Sequence, residues 1–323
     1  MKITLMQSRR FKIDRSKSNP EEQEGYRILR VIYSAICRTD ARLWETGHRD
    51  LILPRVPGHE IAAFDEKTDE YFTVWPGQVC GYCPPCLGNR ENLCENMKIM
   101  GFHVDGGWAD HISVPEGSLV AVPKKFESAA FICFAEPVAC IVNSLKTVHV
   151  SKGRRVVIYG GGVVGLLAGL VCRRKGADVV VIEKDDAKIQ KALLFAEKCE
   201  ISLMKAAPEN TFDISINCCD CHDGFSQCIL ALKKGGHFCF FSGLLNNKNI
   251  VSNVLNTIHY REITLSGSYG PRKNDMKDAL HVCFADRQFI SLLIEDIISP
   301  LQVEQVIAKT AQGKSFKYII DFR

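Results

Sequence analysis

The stretch VVIYGGGVVG, Val156 to Gly165, constrains this chain more than any other. Four β-prone residues, Val156, Val157, Ile158 and Tyr159, run directly into Gly160-Gly161-Gly162, and Gly165 completes G-x-G-x-x-G. Leu166, Leu167, Ala168, Leu170 and Val171 carry on as an apolar helix. A strand, a tight glycine turn and a helix N-terminus form a seat for a pyrophosphate, because unpaired backbone N–H groups converge there. A second apolar strand, Asp178 to Ile182, ends on Glu183, where a carboxylate can accept hydrogen bonds from a ribose diol. A carboxylate there also repels a 2′-phosphate, so the expected cofactor is NAD rather than NADP, with Lys184 and Lys188 softening that repulsion. The turn residues Gly160, Gly162, Val163, Val164 and Gly165, with Glu183 and Lys184, are the expected cofactor-binding set.

The surrounding pattern agrees. From Arg154 onward, strands at 156–159, 179–183, 213–218, 236–242 and 263–266 alternate with helical stretches at 163–175, 185–198, 223–233 and 251–260. Such alternation predicts an α/β doubly wound parallel sheet. Ligands of such sheets sit at the carboxyl ends of strands, and Ser242, Gly243, Gly267 and Ser268 fall at such ends. Residues 3–13 and 26–36 read as strands. The region from 37 to 125 is rich in Gly, Pro and Cys and poor in helical periods, so an irregular β domain is expected. The apolar run AAFICFAEPVACIVNSLKTV that follows Ser128 reads as helix, and the last segment as a helix followed by a strand at 317–322.

Bulk properties exclude several classes. With 323 residues, 46% hydrophobic and 24% charged, the chain has the composition of a globular protein with room for two cores. A net charge of +4 without charged blocks gives no reason to expect nucleic acid or an anionic membrane as partner. The N-terminal apolar run is too short for a signal peptide and no later run approaches membrane-spanning length, so a cytoplasmic protein is expected.

Fifteen cysteines stand out against that background. In a reducing compartment, clustered cysteines point to metal rather than to disulfides. Cys80, Cys83, Cys86 and Cys94 follow C-x2-C-x2-C-x7-C in a Gly/Pro loop, a spacing that can wrap one tetrahedral structural zinc. A zinc-ribbon nucleic-acid binder is disfavoured because Glu91 and Glu95 interrupt the basic character of Arg90 and Lys98. Cys133, Cys172, Cys239 and Cys283 lie in apolar runs and read as small core residues. A second set is dispersed: Cys37 in C-R-T-D, His59 and Glu60 in P-G-H-E, and Glu136 in A-E-P. Singly, each is compatible with a buried thiol, a loop histidine or an ordinary carboxylate; their joint occurrence upstream of a nucleotide turn favours a site.

In that order, C-R-T-D (37–40), G-H-E (58–60), the four-cysteine lobe (80–94), G-G-W-A-D-H (106–111), A-E-P (135–137), the glycine turn and G-S-Y-G (267–270) make the chain resemble the zinc-dependent medium-chain dehydrogenases. The resemblance covers nearly the whole chain and is strongest to the sorbitol/threonine dehydrogenase branch. It implies a GroES-like catalytic domain at 1–128 and 286–323 and a Rossmann domain at 129–285. It also implies homodimers or homotetramers and a small-molecule alcohol substrate, a polyol or hydroxy-amino acid. By the resemblance, Cys37 and His59 are the constant ligands of a catalytic zinc, and Glu136 falls where a third ligand is expected. Glu60 is an alternating or neighbouring ligand, Thr39 the hydroxyl that takes the substrate proton, and Asp40 the residue that helps hold the site. The implied reaction is hydride transfer from the alcohol carbon to the nicotinamide. The alternative is a catalytically retired nucleotide-binding relative that keeps the structural zinc. Two departures from the pattern are a short segment after G-H-E, with Ala63 at a glycine position, and Arg42 where a proton-relaying histidine is common. Arginine cannot shuttle a proton, which leaves it a salt-bridged residue or a contact for an anionic substrate. Trp44, His48, Phe102 and Trp108 are the residues expected around the substrate.

Overall fold

The structure is a computed structural model that describes residues 1–16, 20–123, 130–245 and 248–323. It divides into two compact units, one of residues 1–139 with 271–323 and one of residues 140–270.

The second unit is built on six parallel strands: Arg155–Tyr159, Asp178–Ile182, Ser202–Met204, Phe212–Asn217, Leu232–Phe240 and Thr264–Gly267. Ranked by their position in the chain, they lie side by side in the order 3-2-1-4-5-6. The order reverses between the first and fourth strands, and that switch point is where a doubly wound sheet opens a crevice for a ligand. The valine-rich strands suit this place because parallel strands are covered on both faces. Val157 sits between Val180 and Ser215, all three buried. The helices Val163–Arg174, Asp186–Lys198, His222–Leu230 and Ser252–Tyr260 match the predicted ones to within a few residues. Phe225 meets Phe238 and Phe240 edge-on at 5.1 and 5.2 Å in the core.

The first unit carries a seven-stranded sheet centred on the long strand Tyr26–Ala35, which pairs antiparallel with Ile61–Asp65, His111–Pro115 and Lys317–Asp321. The chain's last strand is thus inserted beside one of its first. Ala63 is buried in an intact strand, and the local irregularity falls across from it, between Val31 and Tyr33. The short segment after G-H-E forms a hairpin, Ile61–Asp65 with Glu70–Val74, turned through Asp69 at φ 56°.

Several expectations are corrected. The single strand expected at 3–13 is a hairpin, Lys2–Gln7 and Arg10–Asp14, turned through Arg9 at φ 57°. The region expected to hold only strands and loops contains the helix Arg38–Thr46. Its short period was hidden, but Cys37 and Asp40 cap its first turn and Ala41 and Leu43 bury its inner face. The apolar run after 128 begins as a 3-10 turn, Ala130–Phe134, before the helix Ala135–Ser144. The expected junction at 128/129 lies outside the described residues. Residues 130–139 and 271–285, expected in the second domain, group by their contacts with the first unit. Trp75 Nε1 donates to the Pro271 carbonyl at 2.9 Å, and Lys273 N donates to Glu91 Oε1 at 3.0 Å. The helix Lys273–Ala285 then buries Met276, Ala279, Leu280 and Cys283.

Candidate metal and dinucleotide sites

The four-cysteine lobe folds locally. Cys83 precedes the helical turn Pro84–Leu87, and the 3-10 turn Glu91–Leu93 delivers Cys94 back to it. Cys83 Sγ lies 3.4 Å from Cys86 Sγ and 3.8 Å from Cys94 Sγ, and Cys94 Sγ lies 3.6 Å from Cys80 Sγ. Zn–S bonds of about 2.3 Å in a tetrahedron place sulfurs about 3.8 Å apart, so the four thiols fit one zinc. All four are free of disulfides. Burial alone would push Cys80 up, yet N–H donors of Tyr82 and Cys83 and the neighbouring thiols bring it down to about 6. Burial and the other sulfurs push Cys86 up to about 12. Four sulfurs this close cannot all ionise without a cation between them, which is the charge a zinc supplies.

The dispersed set is assembled by tertiary contacts within the first unit. Ligand atoms of Cys37, His59 and Glu60 all lie within 4.8 Å of one another. Cys37 ends the central strand's exit and caps the helix Arg38–Thr46, its sulfur accepting from Thr39 N at 3.4 Å. Asp40, buried, ties the halves together. Its Oδ2 accepts from Cys37 N at 2.9 Å, and its Oδ1 accepts from Gly58 N at 3.3 Å and lies 3.5 Å from His59 Nδ1. A carboxylate behind a metal-binding histidine fixes the ring and raises its basicity. Burial pulls the His59 imidazole down, but Asp40 and then Cys37 outweigh it and hold the ring well above its ordinary value. Gly58, at φ 96°, cannot be replaced: a Cβ there would lie 2.3 Å from the Trp108 ring. G-G-W (106–108) grips P-G-H from the other side, Gly107 N donating to the Gly58 carbonyl at 2.8 Å and Trp108 N to that of Pro57 at 3.0 Å. The two distant motifs are one folded object.

Glu136 is buried in the first turn of the helix Ala135–Ser144 but lies outside the mutual 4.8 Å set. Glu60 has a partner that sequence reasoning missed. Lys317, 5% exposed, donates to Glu60 Oε1 at 2.7 Å and Oε2 at 2.8 Å. Burial lowers the Lys317 ammonium, but the charges of Glu60, Cys37 and Glu136 outweigh it and raise its pKa. The signal was present in the sequence as a lone lysine opening the apolar strand Lys-Tyr-Ile-Ile, since a buried lysine needs a counter-charge. Among the residues expected around substrate, Phe102 lies 6.2 Å from the His59 ring and 5.6 Å from that of His48. Trp108, with no exposure, is core rather than pocket. Trp44 packs against the same core.

In the second unit the glycine turn has the expected build. A Cβ on Gly165 would come within 1.8 Å of the Gly160 carbonyl, so only glycine lets the helix start this close to the strand. Glu183 follows its strand and bends over the turn: Oε2 accepts from Gly161 N at 3.0 Å and Oε1 from Lys184 N at 2.8 Å. Lys188 Nζ stands 3.9 Å from Glu183 Oε2, whereas the Lys184 side chain is exposed and 3.9 Å from Asp223. Ser242, Gly243 and Ser268 lie just beyond strand ends, and Gly267 closes the last strand. Sequence reasoning missed Asn217. Buried, it accepts from Phe241 N at 2.7 Å and donates to the carbonyls of Cys219 and Ser242 at 3.2 and 2.7 Å, stapling two loops at the switch point.

Comparison with known proteins also finds two parts, the second of which runs to residue 285. The family described as "Alcohol dehydrogenase GroES-like domain" matches residues 23–124, and that described as "Zinc-binding dehydrogenase" matches residues 163–285. L-galactonate-5-dehydrogenase of Escherichia coli K12 is 26% identical over 67% of this chain and 64% of its own length. D-xylulose reductase A of Aspergillus oryzae is 26% identical over 93% of this chain and 91% of its own. The crystal structure of galactitol-1-phosphate dehydrogenase from Escherichia coli superposes with a TM-score of 0.88 at 16% identity, covering 99% of both chains. The chain belongs to the zinc-dependent medium-chain dehydrogenase superfamily. It is an oxidoreductase of the zinc-binding dehydrogenase family. No helix among the described residues is long and apolar enough to cross a membrane.

Proposed function

We propose that this protein interconverts a secondary alcohol of a polyol or hydroxy acid and its ketone with NAD, using a zinc held by Cys37, His59 and a carboxylate. The observation that carries this reading is the convergence of Cys37, His59 and Glu60 within 4.8 Å, backed by the buried Asp40, in a chain that also carries a dinucleotide turn. Zinc at these ligands supplies Lewis acidity that lowers the pKa of an alcohol hydroxyl, and the nicotinamide supplies the hydride acceptor. The protein's residues do the rest. In this reading Thr39, on the first turn of the helix that Cys37 caps, accepts the hydroxyl proton. Asp40 holds the His59 ring and the Cys37 backbone in register, and Lys317 balances the charge of Glu60 so that a buried carboxylate can stand beside the thiol. Glu60 and Glu136 are the two candidates for the remaining ligand.

Glu183 favours NAD, because its carboxylate is fixed over the turn and meets a 2′-phosphate as a like charge. Gly160, Gly162, Val163, Val164 and Gly165 seat the pyrophosphate, with Ser242, Gly243, Gly267 and Ser268 along the rest of the cofactor and Lys184 at its ribose end. The protein works in the cytoplasm as a homodimer or homotetramer, a state that light scattering of the purified protein would measure. Metal analysis together with NAD reduction across polyols, aldonates, threonine and simple alcohols tests the whole reading. Two zincs per chain and turnover of a polyol or hydroxy acid are expected; one zinc and no turnover would overturn it.

A further inference from the structure

The loop after the fourth parallel strand reads Cys218-Cys219-Asp220-Cys221-His222, and the chemistry above uses none of its thiols. Cys219 Sγ and Cys221 Sγ lie 3.6 Å apart, Cys219 half-buried and Cys221 exposed. Both sulfurs rest on the bare backbone of Gly224, in the first turn of the helix His222–Leu230. A Cβ there would lie 2.5 Å from Cys219 Sγ and 3.0 Å from Cys221 Sγ. The pair therefore owes its close approach to a missing side chain. A disulfide has sulfurs about 2.05 Å and Cβ atoms about 3.8 Å apart, so closing the bond from 3.6 Å requires the loop backbone to draw the two residues together.

The loop also forms one wall of the dinucleotide turn. Cys218 N donates to the Tyr159 carbonyl at 2.7 Å. A Cβ on Gly160 would lie 2.7 Å from the Cys218 carbonyl oxygen and 3.3 Å from Cys219 Cβ. Asn217 pins the Cys219 carbonyl, and Leu245 N donates to that of Asp220 at 3.1 Å. Any movement of this loop is passed to the first glycine of the turn and, through Asn217, to Ser242.

We propose that Cys219 and Cys221 are a redox-modification site, a dithiol that a hydroperoxide converts to a disulfide within the loop, and that the oxidised loop binds the dinucleotide more weakly. This rests on the dinucleotide reading of the second unit. The exposed Cys221, as thiolate, attacks the terminal peroxide oxygen; the O–O bond breaks, sulfur is oxidised to sulfenic acid, and the alkoxide or hydroxide released takes a proton from water. The Cys219 thiol then attacks that sulfur; the S–S bond forms as the S–O bond breaks, and the departing hydroxide leaves with the thiol proton as water. Cys219 is kept as a thiol until then, burial and the adjoining Cys221 pushing it up to about 12. Bond formation draws Cys219 toward Cys221, away from Gly160. It also weakens the sulfur that caps the helix, which in the reduced protein accepts from Gly224 N at 3.3 Å.

The test uses the full-length, zinc-loaded protein treated with limiting hydrogen peroxide. NAD affinity by calorimetry and the Cys219–Cys221 linkage by peptide mass spectrometry are followed before treatment, after it, and after a thiol reductant. The expected result is a Cys219–Cys221 disulfide, NAD binding weakened about tenfold or more, and recovery of both on reduction. Cys221→Ser keeps a helix-capping oxygen and is expected to bind NAD as the reduced protein does while ignoring the peroxide. A disulfide that leaves NAD affinity unchanged, or peroxide that spares this pair, would overturn the proposal. Failure of the reduced, untreated protein to bind NAD would instead overturn the dinucleotide reading itself.

Discussion

The two candidate metal sites of this chain are built in opposite ways. The four-cysteine lobe takes its ligands from fifteen consecutive residues, Cys80 to Cys94, and its short turns bring the sulfurs together with little outside help. The other set draws on the exit of the central strand, a loop twenty residues later and the last strand of the chain, and only the folded sheet brings Cys37, His59, Glu60 and Lys317 into one place. The lobe makes a closed shell of one ligand type, suited to holding a structure. The dispersed set mixes thiol, imidazole and carboxylate, is backed by Asp40, and has a carboxylate paired with a buried lysine. A closed shell serves stability, whereas a mixed shell serves chemistry.

The largest effect expected from this contrast is on the lobe. Zinc binding to small structural sites contributes roughly 10–16 kcal/mol. Cys94→Ala should therefore remove one zinc and destabilise the lobe, lowering the thermal midpoint sharply in calorimetry; an unchanged midpoint would mean the lobe is not structural. Next, His59→Ala should also remove one zinc but spare the fold, cutting kcat/KM by roughly a thousandfold or more. Retained turnover there would erase the division of labour. Lys317→Met should leave a buried carboxylate without its counter-charge and cost about 3–5 kcal/mol in denaturant unfolding, with Lys317→Arg close to the wild type. A neutral outcome for Lys317→Met would mean that Glu60 finds another cation.

The smallest and sharpest contrast lies in pH. In metal-free protein, His59 is raised in the folded state, so its contribution to stability is full below the unfolded value of about 6.5 and is lost as pH rises through the folded value. Cys80 is lowered to about 6, so its contribution is full above the unfolded value of about 8.5 and is lost as pH falls through about 6. Between about pH 6.5 and 8.5 the two sites pull stability in opposite directions. Thermal unfolding of metal-free His59→Gln and Cys80→Ser variants across that window should therefore show slopes that differ from the parent in opposite senses.

The sequence by itself determined what depends on neighbours along the chain. The glycine turn, its flanking strand and helix, and the alternation after Arg154 are local patterns, and the second unit follows them closely. The lobe was legible for the same reason: its spacing is its geometry. Motifs in order singled out the dispersed residues, but only the tertiary structure decided which groups meet. It placed Lys317 on Glu60 from 257 residues away, left Glu136 outside the tight set, buried Trp108 as core, and gathered the helix Lys273–Ala285 into the first unit. Nothing in the local pattern could forecast these, because a strand's register and a buried charge's partner are fixed by packing that joins distant segments.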